Sequence, residues 1–322
     1  MSALAKSQGN AATRKASPRH FIDLDEIDAK TLRRIVDMGH EMKRAGRRTP
    51  AHLRPKGIED AVLVMIFEKP STRTRVSFDI AMRQLGGQTI ALNHADLQTG
   101  RGEPPSDTAQ VLSRYADAIM IRANKHATLI EMAENATIPL INGLTDQSHP
   151  CQVVADIMTF EERKGPISGS TVAWLGDGNN VAASWMHAAG RFKFKLRIAC
   201  PPQLNPDKAL IEWARKEGAE ITLTDDAESA AKGADCVVTD TWVSMGQTDA
   251  PRRKQLLAPY SVTDEVMGKA RKDAIFMHCL PAYRGYEVSA SVIDGPQSVV
   301  FEEAENRLHA QKAILAWCLG VE

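Results

Sequence analysis

Five consecutive residues, Ser71, Thr72, Arg73, Thr74 and Arg75, set three hydroxyls and two guanidinium groups directly behind the apolar run AVLVMIF. The backbone N–H groups of a helix start are unsatisfied donors with partial positive charge. Hydroxyls add further donors and an arginine adds a bidentate fork, so the stretch reads as a phosphate cradle that lacks a Walker lysine. An ordinary helix cap needs one such hydroxyl, not a run of them. Other chemistry-bearing residues gather at the ends of apolar segments: Arg122 closing AIMIR, His149 and Gln152 after PLIN, Asp177 and Asn180 after TVAWLG, Asp240 closing CVVTD, His278 and Cys279 near the end of AIFMHCL. Gln152 is both amide donor and acceptor, and beside His149 it suits a small polar group such as a carbamoyl; His149 alone also fits a histidine satisfied at a helix start. Cys279 stands out by its seat beside His278, since a lone cysteine is more often a small buried hydrophobe. No His/Cys/Asp/Glu spacing matches a zinc or two-metal site, so metal-free and cofactor-free chemistry is expected.

The elements that must position these residues alternate. Leu32, Ile35, Val36 and Met42 recur at helical spacing, AVLVMIF reads as a buried strand, and RVSFDIAMRQLGG as a helix closed by Gly86 and Gly87. DTAQVLSRYA, opened by an Asp107/Gln110 capping box, and ATLIEMAENA read as helices, with AIMIR and PLIN as strands. HPCQVVADIMTFEERKG reads as a linking helix to a second lobe with strands TVAWLG, LRIACP, EITLTD, CVVTD and AIFMHCL, closed by a final helix from EEAENR onward. This alternation predicts an α/β chain of two doubly wound parallel-sheet domains. Ligands of such sheets sit beyond the carboxyl ends of the strands, where the residues named above gather.

Composition narrows the partner. The 322 residues carry 40 basic and 40 acidic side chains, so no whole-molecule field attracts nucleic acid or a membrane surface, and an anion must be held by a local cluster. No apolar stretch approaches the roughly 18 residues of a membrane span. Five cysteines without a CxxC pair fit a reducing compartment, here read as cytoplasmic. The first twenty residues hold Lys6, Arg14, Lys15 and Arg19 with no acid, a bias shared with organelle leaders; too few large apolar residues accompany it, and residues 1–19 read as a disordered tail. LGDGNN suggests a dinucleotide turn, but Val181 replaces the third glycine and RIACPP offers no acid at the next strand end. Gly176 and Gly178 then read as a tight strand-to-helix turn presenting Asn180.

FEKPSTRTR, HPCQ, DTWVSMG and HCLP, in this order and at these intervals, resemble the aspartate/ornithine carbamoyltransferase family, with SMG and HCLP pointing to its ornithine-using branch. The resemblance spans the chain from about residue 20 to its end. It implies transfer of the carbamoyl group of carbamoyl phosphate to the δ-amine of L-ornithine, giving citrulline for arginine biosynthesis, in a homotrimer or a multiple of trimers. It implies a carbamoyl-phosphate domain over residues 20–148, an ornithine domain over 149–301, a cleft site between them, and a final helix over about 302–322 that packs back on the first domain. Carried over by position, Ser71, Thr72, Arg73, Thr74 and Arg122 bind phosphate, His149 and Gln152 the carbamoyl group, and Arg307 closes on the donor. Gln98 matches a position that reaches phosphate from a neighbouring subunit. Asn180, Asp240, Ser244 and Met245 bind the ornithine α-groups, while Cys279 and Leu280 line the reacting amine, Cys279 positioning rather than attacking. Arg73, Arg122, His149 and Cys279 are the expected catalytic set. VSMGQTDAPRRKQL reads as a mobile loop that closes over ornithine.

Three other readings stay open at this stage. A carbamoyltransferase for putrescine, an acylated ornithine or aspartate is opposed by the intact DTWVSMG, since Asp240 would lose its charged α-amino partner. A nicotinamide-dependent dehydrogenase is opposed by the incomplete LGDGNN motif. A binding protein that kept the fold is opposed by the intact motifs.

Overall fold

The computed structural model describes residues 17–97, 102–243 and 249–321. Gln98, Ser244 and Met245 lie outside the described residues. The first sheet belongs to a half comprising α1 (Ala29–Arg44), β1 (Val62–Phe67), α2 (Thr72–Leu85), β2 (Gln88–Asn93), α3 (Pro105–Leu112), β3 (Ala118–Arg122), α4 (His126–Asn135) and β4 (Leu140–Leu144). Its strands are parallel in the order β2-β1-β3-β4. Helix α5 (Pro150–Lys164) leads to β5 (Thr171–Leu175), α6 (Asn180–Phe192), β6 (Lys195–Ala199), α7 (Lys208–Lys216), β7 (Glu220–Thr224), α8 (Ala227–Ala231), β8 (Cys236–Thr239), α9 (Ala250–Leu257), α10 (Asp264–Met267), β9 (Ile275–His278), α11 (Ala290–Ile293) and α12 (Val300–Cys318). The second sheet is parallel in the order β7-β6-β5-β8-β9. In each sheet the order turns back on itself, so neighbouring loops at the strand ends diverge and leave a crevice.

Three sequence expectations need correction. Strand β2 was not foreseen: its sequence QTIALN lies at a sheet edge with alternate residues exposed, so it lacks the continuous apolar run of a central strand. Helix α3 begins at Pro105 rather than at an Asp107 box; proline at the first turn gives up an N–H that has no helical partner anyway, and Pro104 supplies no side-chain cap. Residues 250–256, read as part of a mobile loop, belong to α9, again with proline in the first turn.

Helix α12 returns from the second sheet to pack against α1, α2 and α5. Its inward face buries Arg307, Ala310, Gln311, Ile314 and Leu315. Charge ties the same bundle from outside: Arg33 Nη1 lies 2.6 Å from Glu161 Oε1, and Lys43 Nζ donates to Glu162 Oε2 and Asn306 Oδ1, both at 2.8 Å. His40 faces Glu161 Oε2 at 3.2 Å, and bonding to Glu161 and Glu162 raises its pKa to about 9. A histidine whose folded pKa is raised stabilises fully below its unfolded value, near 6.5, and loses that contribution as pH climbs through the folded value. Thermal stability is therefore expected to fall between about pH 6.5 and about pH 9, and His40→Gln to flatten that fall. Parallel melting curves for the two proteins across that range would contradict the assignment.

Candidate active site

Helix α2 starts at the carboxyl end of β1. Ser71 is its N-cap, with Oγ accepting from Thr74 N at 3.3 Å. That cap turns Thr74 inward while Thr72 and Arg73 stay exposed. On the buried Thr74 Oγ1 two cations converge: Arg122 Nη1, from the end of β3, donates at 3.3 Å, and Arg307 Nη2, from α12, at 3.0 Å. Arg307 Nη1 also donates to Gln152 Oε1 at 2.6 Å. Among the described residues neither Arg122 nor Arg307 has a carboxylate at ion-pair distance, and the buried Nε of each has no hydrogen-bond partner. Burial, then Arg307 and Arg73, lower the pKa of Arg122 to about 10, still a cation near neutrality.

His149 precedes α5, where Pro150 occupies the first turn. Its backbone N–H donates to Ser184 Oγ at 2.8 Å. Burial, followed by the charges of Arg307 and Arg122, pushes its imidazole well below the usual histidine range. The ring is thus neutral, with a buried Nδ1 that has no hydrogen-bond partner among the described residues.

The second sheet brings a different set. Asp240, just past β8, accepts from Asn179 Nδ2 at 2.8 Å and from Cys279 Sγ at 3.0 Å. Burial, then the Asp240 carboxylate, pushes the Cys279 thiol well above its ordinary range, which suits a thiol that donates and not a thiolate nucleophile. Leu280 takes the left-handed backbone conformation at φ 55°, its N–H donating to His278 Nδ1 at 2.9 Å. Asn180 Nδ2 donates to the Thr145 carbonyl at 2.8 Å, joining α6 to the loop after β4. Gly176, at φ 128°, makes the turn expected after β5, and a Cβ on Gly178 would come within 2.4 Å of the Leu204 carbonyl. Asp240, His278 and Cys279 each offer one ligand atom within 4.8 Å of the others; Cys279 and Asp240 are joined by the hydrogen bond already described.

The two sets meet. Cys279 is an electrostatic neighbour of both Arg122 and Arg307, and Asp240 of Arg122. Sequence reading missed several supports. Asn179 caps α6, its Oδ1 accepting from Val181 N and Ala182 N, and the Asn before NVAASWM is a legible cap signal. Arg253 binds the Asp177 carboxylate and donates from Nε to the Trp242 carbonyl at 2.8 Å, fastening the β5 and β8 ends together. Asp156 and Glu303, behind Gln152, carried no signal of their own.

The family model described as aspartate/ornithine carbamoyltransferase, carbamoyl-P binding domain, matches residues 19–162, and the one described as aspartate/ornithine carbamoyltransferase, Asp/Orn binding domain, matches residues 168–318. The chain belongs to the aspartate/ornithine carbamoyltransferase family. Among its relatives in that family, the ornithine carbamoyltransferase of Rhodopseudomonas palustris strain BisA53 is 61% identical over 306 residues, covering 94% of this chain and 98% of the relative. The structure of ornithine carbamoyltransferase from Pyrococcus furiosus superposes with a TM-score of 0.87 at 45% identity, over 93% of this chain and 96% of that one. Anabolic ornithine carbamoyltransferase from Campylobacter jejuni superposes with a TM-score of 0.87 at 39% identity, over 93% and 98%. The fold class expected of the family, two parallel-sheet α/β domains, is the one observed.

Proposed function

We propose that this chain transfers the carbamoyl group of carbamoyl phosphate to the δ-amine of L-ornithine, yielding L-citrulline and phosphate. The observation that carries the reading is the convergence of Arg122 and Arg307 on Thr74 and Gln152 without a carboxylate partner, beside the Asp240–Cys279 pair. A dianionic phosphate completes the first group, and a charged α-amino group completes the second.

In this reading residues 20–148, with the returning α12, hold carbamoyl phosphate, and residues 149–301 hold ornithine. The phosphate rests on the N-terminus of α2 with Ser71, Thr72, Arg73 and Thr74, joined by Arg122, Arg307 and, from a neighbouring subunit, Gln98. The uncharged δ-amine attacks the carbamoyl carbon. A C–N bond forms, the carbonyl oxygen takes up negative charge, and Arg122, Thr74 and neutral His149 stabilise it; such preorganised donors contribute several kcal/mol. The bond between the carbamoyl carbon and the oxygen bridging to phosphorus then breaks, the phosphate leaves with that oxygen, and the proton lost by the amine leaves with it. No covalent enzyme intermediate is needed, so Cys279 and Leu280 position the amine. Asp240, both of whose oxygens are oriented by donors, takes the ornithine α-amino group, with Asn180, Ser244 and Met245 on the α-carboxylate side.

We assign the reaction to arginine biosynthesis in the cytoplasm; the anabolic relative from Campylobacter jejuni supports that direction. No helix among the described residues is long and apolar enough to cross a membrane. We also propose a homotrimer. Val76 and Ile80 on α2 and Ile90 on edge strand β2 are exposed to 50%, 38% and 51%, an apolar surface that a second subunit would cover.

Two measurements follow. Offered carbamoyl phosphate with ornithine, N-acetylornithine, putrescine or aspartate in separate reactions, the purified protein is expected to form citrulline at least about a hundredfold faster than any other product, the discrimination expected when the wrong substrate leaves a buried charge unpaired. Preferred carbamoylation of another amine would overturn the acceptor assignment. Light scattering should return three times the chain mass of 35.3 kDa; a monomer active at assay concentration would refute the shared site.

A further inference from the structure

Behind Gln152 lies a buried acidic pair that the carbamoyl-transfer step does not itself use. Gln152 Nε2 gives one hydrogen to Asp156 Oδ1 at 2.8 Å and the other to Glu303 Oε1 at 3.1 Å, while its Oε1 accepts from Arg307. Glutamine and both acids are each 1% exposed. Glu303 Oε2 accepts from the backbone N–H of His278, at the end of β9, at 2.8 Å. The two acids are thus held on one buried nitrogen, and among the described residues neither has a cation at ion-pair distance. Two carboxylates crowded into one buried site do not both stay ionised, so one of them keeps a proton.

The arrangement leaves Gln152 a single orientation. Turned over, its amide oxygen would face two carboxyl oxygens and its NH2 would face a guanidinium, with acceptor against acceptor and donor against donor. As built, Oε1 keeps one lone pair beyond the bond from Arg307, and that lone pair suits an NH2 donor such as the carbamoyl nitrogen. We propose that Asp156 and Glu303 hold one proton between them and act as positioning residues for the transfer reaction, fixing the Gln152 amide for the carbamoyl nitrogen and tying that orientation to the β9 end through the His278 N–H. The inference rests on the carbamoyl-phosphate reading of the pocket.

The electrostatics agree with the geometry. Burial raises the Asp156 carboxyl to about 7, and burial followed by the charge of Asp156 raises Glu303 well above the usual range. The groups facing the pair are Gln152 on α5, Arg307 on α12, Asp240 past β8, Cys236 in β8, and His278 and Cys279 at the end of β9. Arg307 favours ionisation and Asp240 opposes it. Once the shared proton is lost at alkaline pH, two adjacent buried carboxylates repel and release the amide.

The test is steady-state kinetics of citrulline formation from about pH 6 to about pH 9 with the unmodified protein, Asp156→Ala and Asp156→Asn. Asparagine keeps an acceptor for Gln152 and a donor for Glu303 and carries no titratable proton. Asp156→Ala is expected to raise KM for carbamoyl phosphate about tenfold or more while moving KM for ornithine far less; Asp156→Asn should restore it to within about threefold. The alkaline rise of that KM in the unmodified protein should be absent from Asp156→Asn. An asparagine variant as impaired as the alanine variant, or one that keeps the alkaline rise, would overturn the inference, and this profile decides the matter even if the alanine variant does not fold. An unmodified protein that makes no citrulline would instead overturn the carbamoyl-transfer reading, and the inference with it.

Discussion

Two guanidinium groups, that of Arg307 buried and that of Arg122 partly buried, meet on one threonine hydroxyl and set the terms for the rest of this molecule. Arg122 and Arg307 repel each other, burial removes much of the water that would solvate them, and among the described residues their hydrogen-bond partners, Thr74 and Gln152, are neutral. A buried charge without a counterion is costly, by several kcal/mol after relaxation. A carboxylate would have relieved that cost and filled the site. Leaving it unrelieved keeps the attraction for an anionic substrate.

The architecture is what makes such a cluster possible. Arg122 arrives on a central strand, Thr74 on the first turn of the helix after β1, and Arg307 on a helix that begins beside the second sheet and runs back across the first. No short segment carries all three. Helix α5 supplies Gln152 from its first turn and Asp156 one turn on, so the linker between the sheets also forms the floor of the site. The ion pairs and hydrogen bonds from α1 to α5 and α12 hold that floor from the outside. The proposed amino-acid side hangs on β8 and β9, and β9 reaches Glu303 through the His278 N–H, so at the site the two halves are linked by hydrogen bonds, while behind it one apolar core runs from Leu63 and Met65 through Ile157 and Ile314 to Val172 and Trp174.

Much of this was legible in the sequence where a local rule applied. STRTR after an apolar run marks a strand end and an anion-ready helix start, and the strand ends of both sheets collect Arg122, His149, Asp240 and Cys279, because parallel sheets expose residues there. Strand β2 escaped notice because an edge strand has no need of apolar residues on both faces. The start of α3 was misplaced because an Asp/Gln pair looks like a cap even where Pro105 sets the first turn. Asp156 and Glu303 were invisible for a stronger reason: they are 147 positions apart, and only the return of α12 onto α5 makes them neighbours. Asn180 was read as facing the amino acid; its amide donates to the Thr145 carbonyl, so it also braces the two halves.

The central claim is that the arginine cluster on the N-terminus of α2 is by itself a site for the donor substrate. Calorimetric titration of the ligand-free protein with carbamoyl phosphate, in the absence of ornithine, tests it most directly. The account predicts saturable binding at a single site per chain, weakened by added inorganic phosphate. A folded protein that binds carbamoyl phosphate only when ornithine is already present would contradict it.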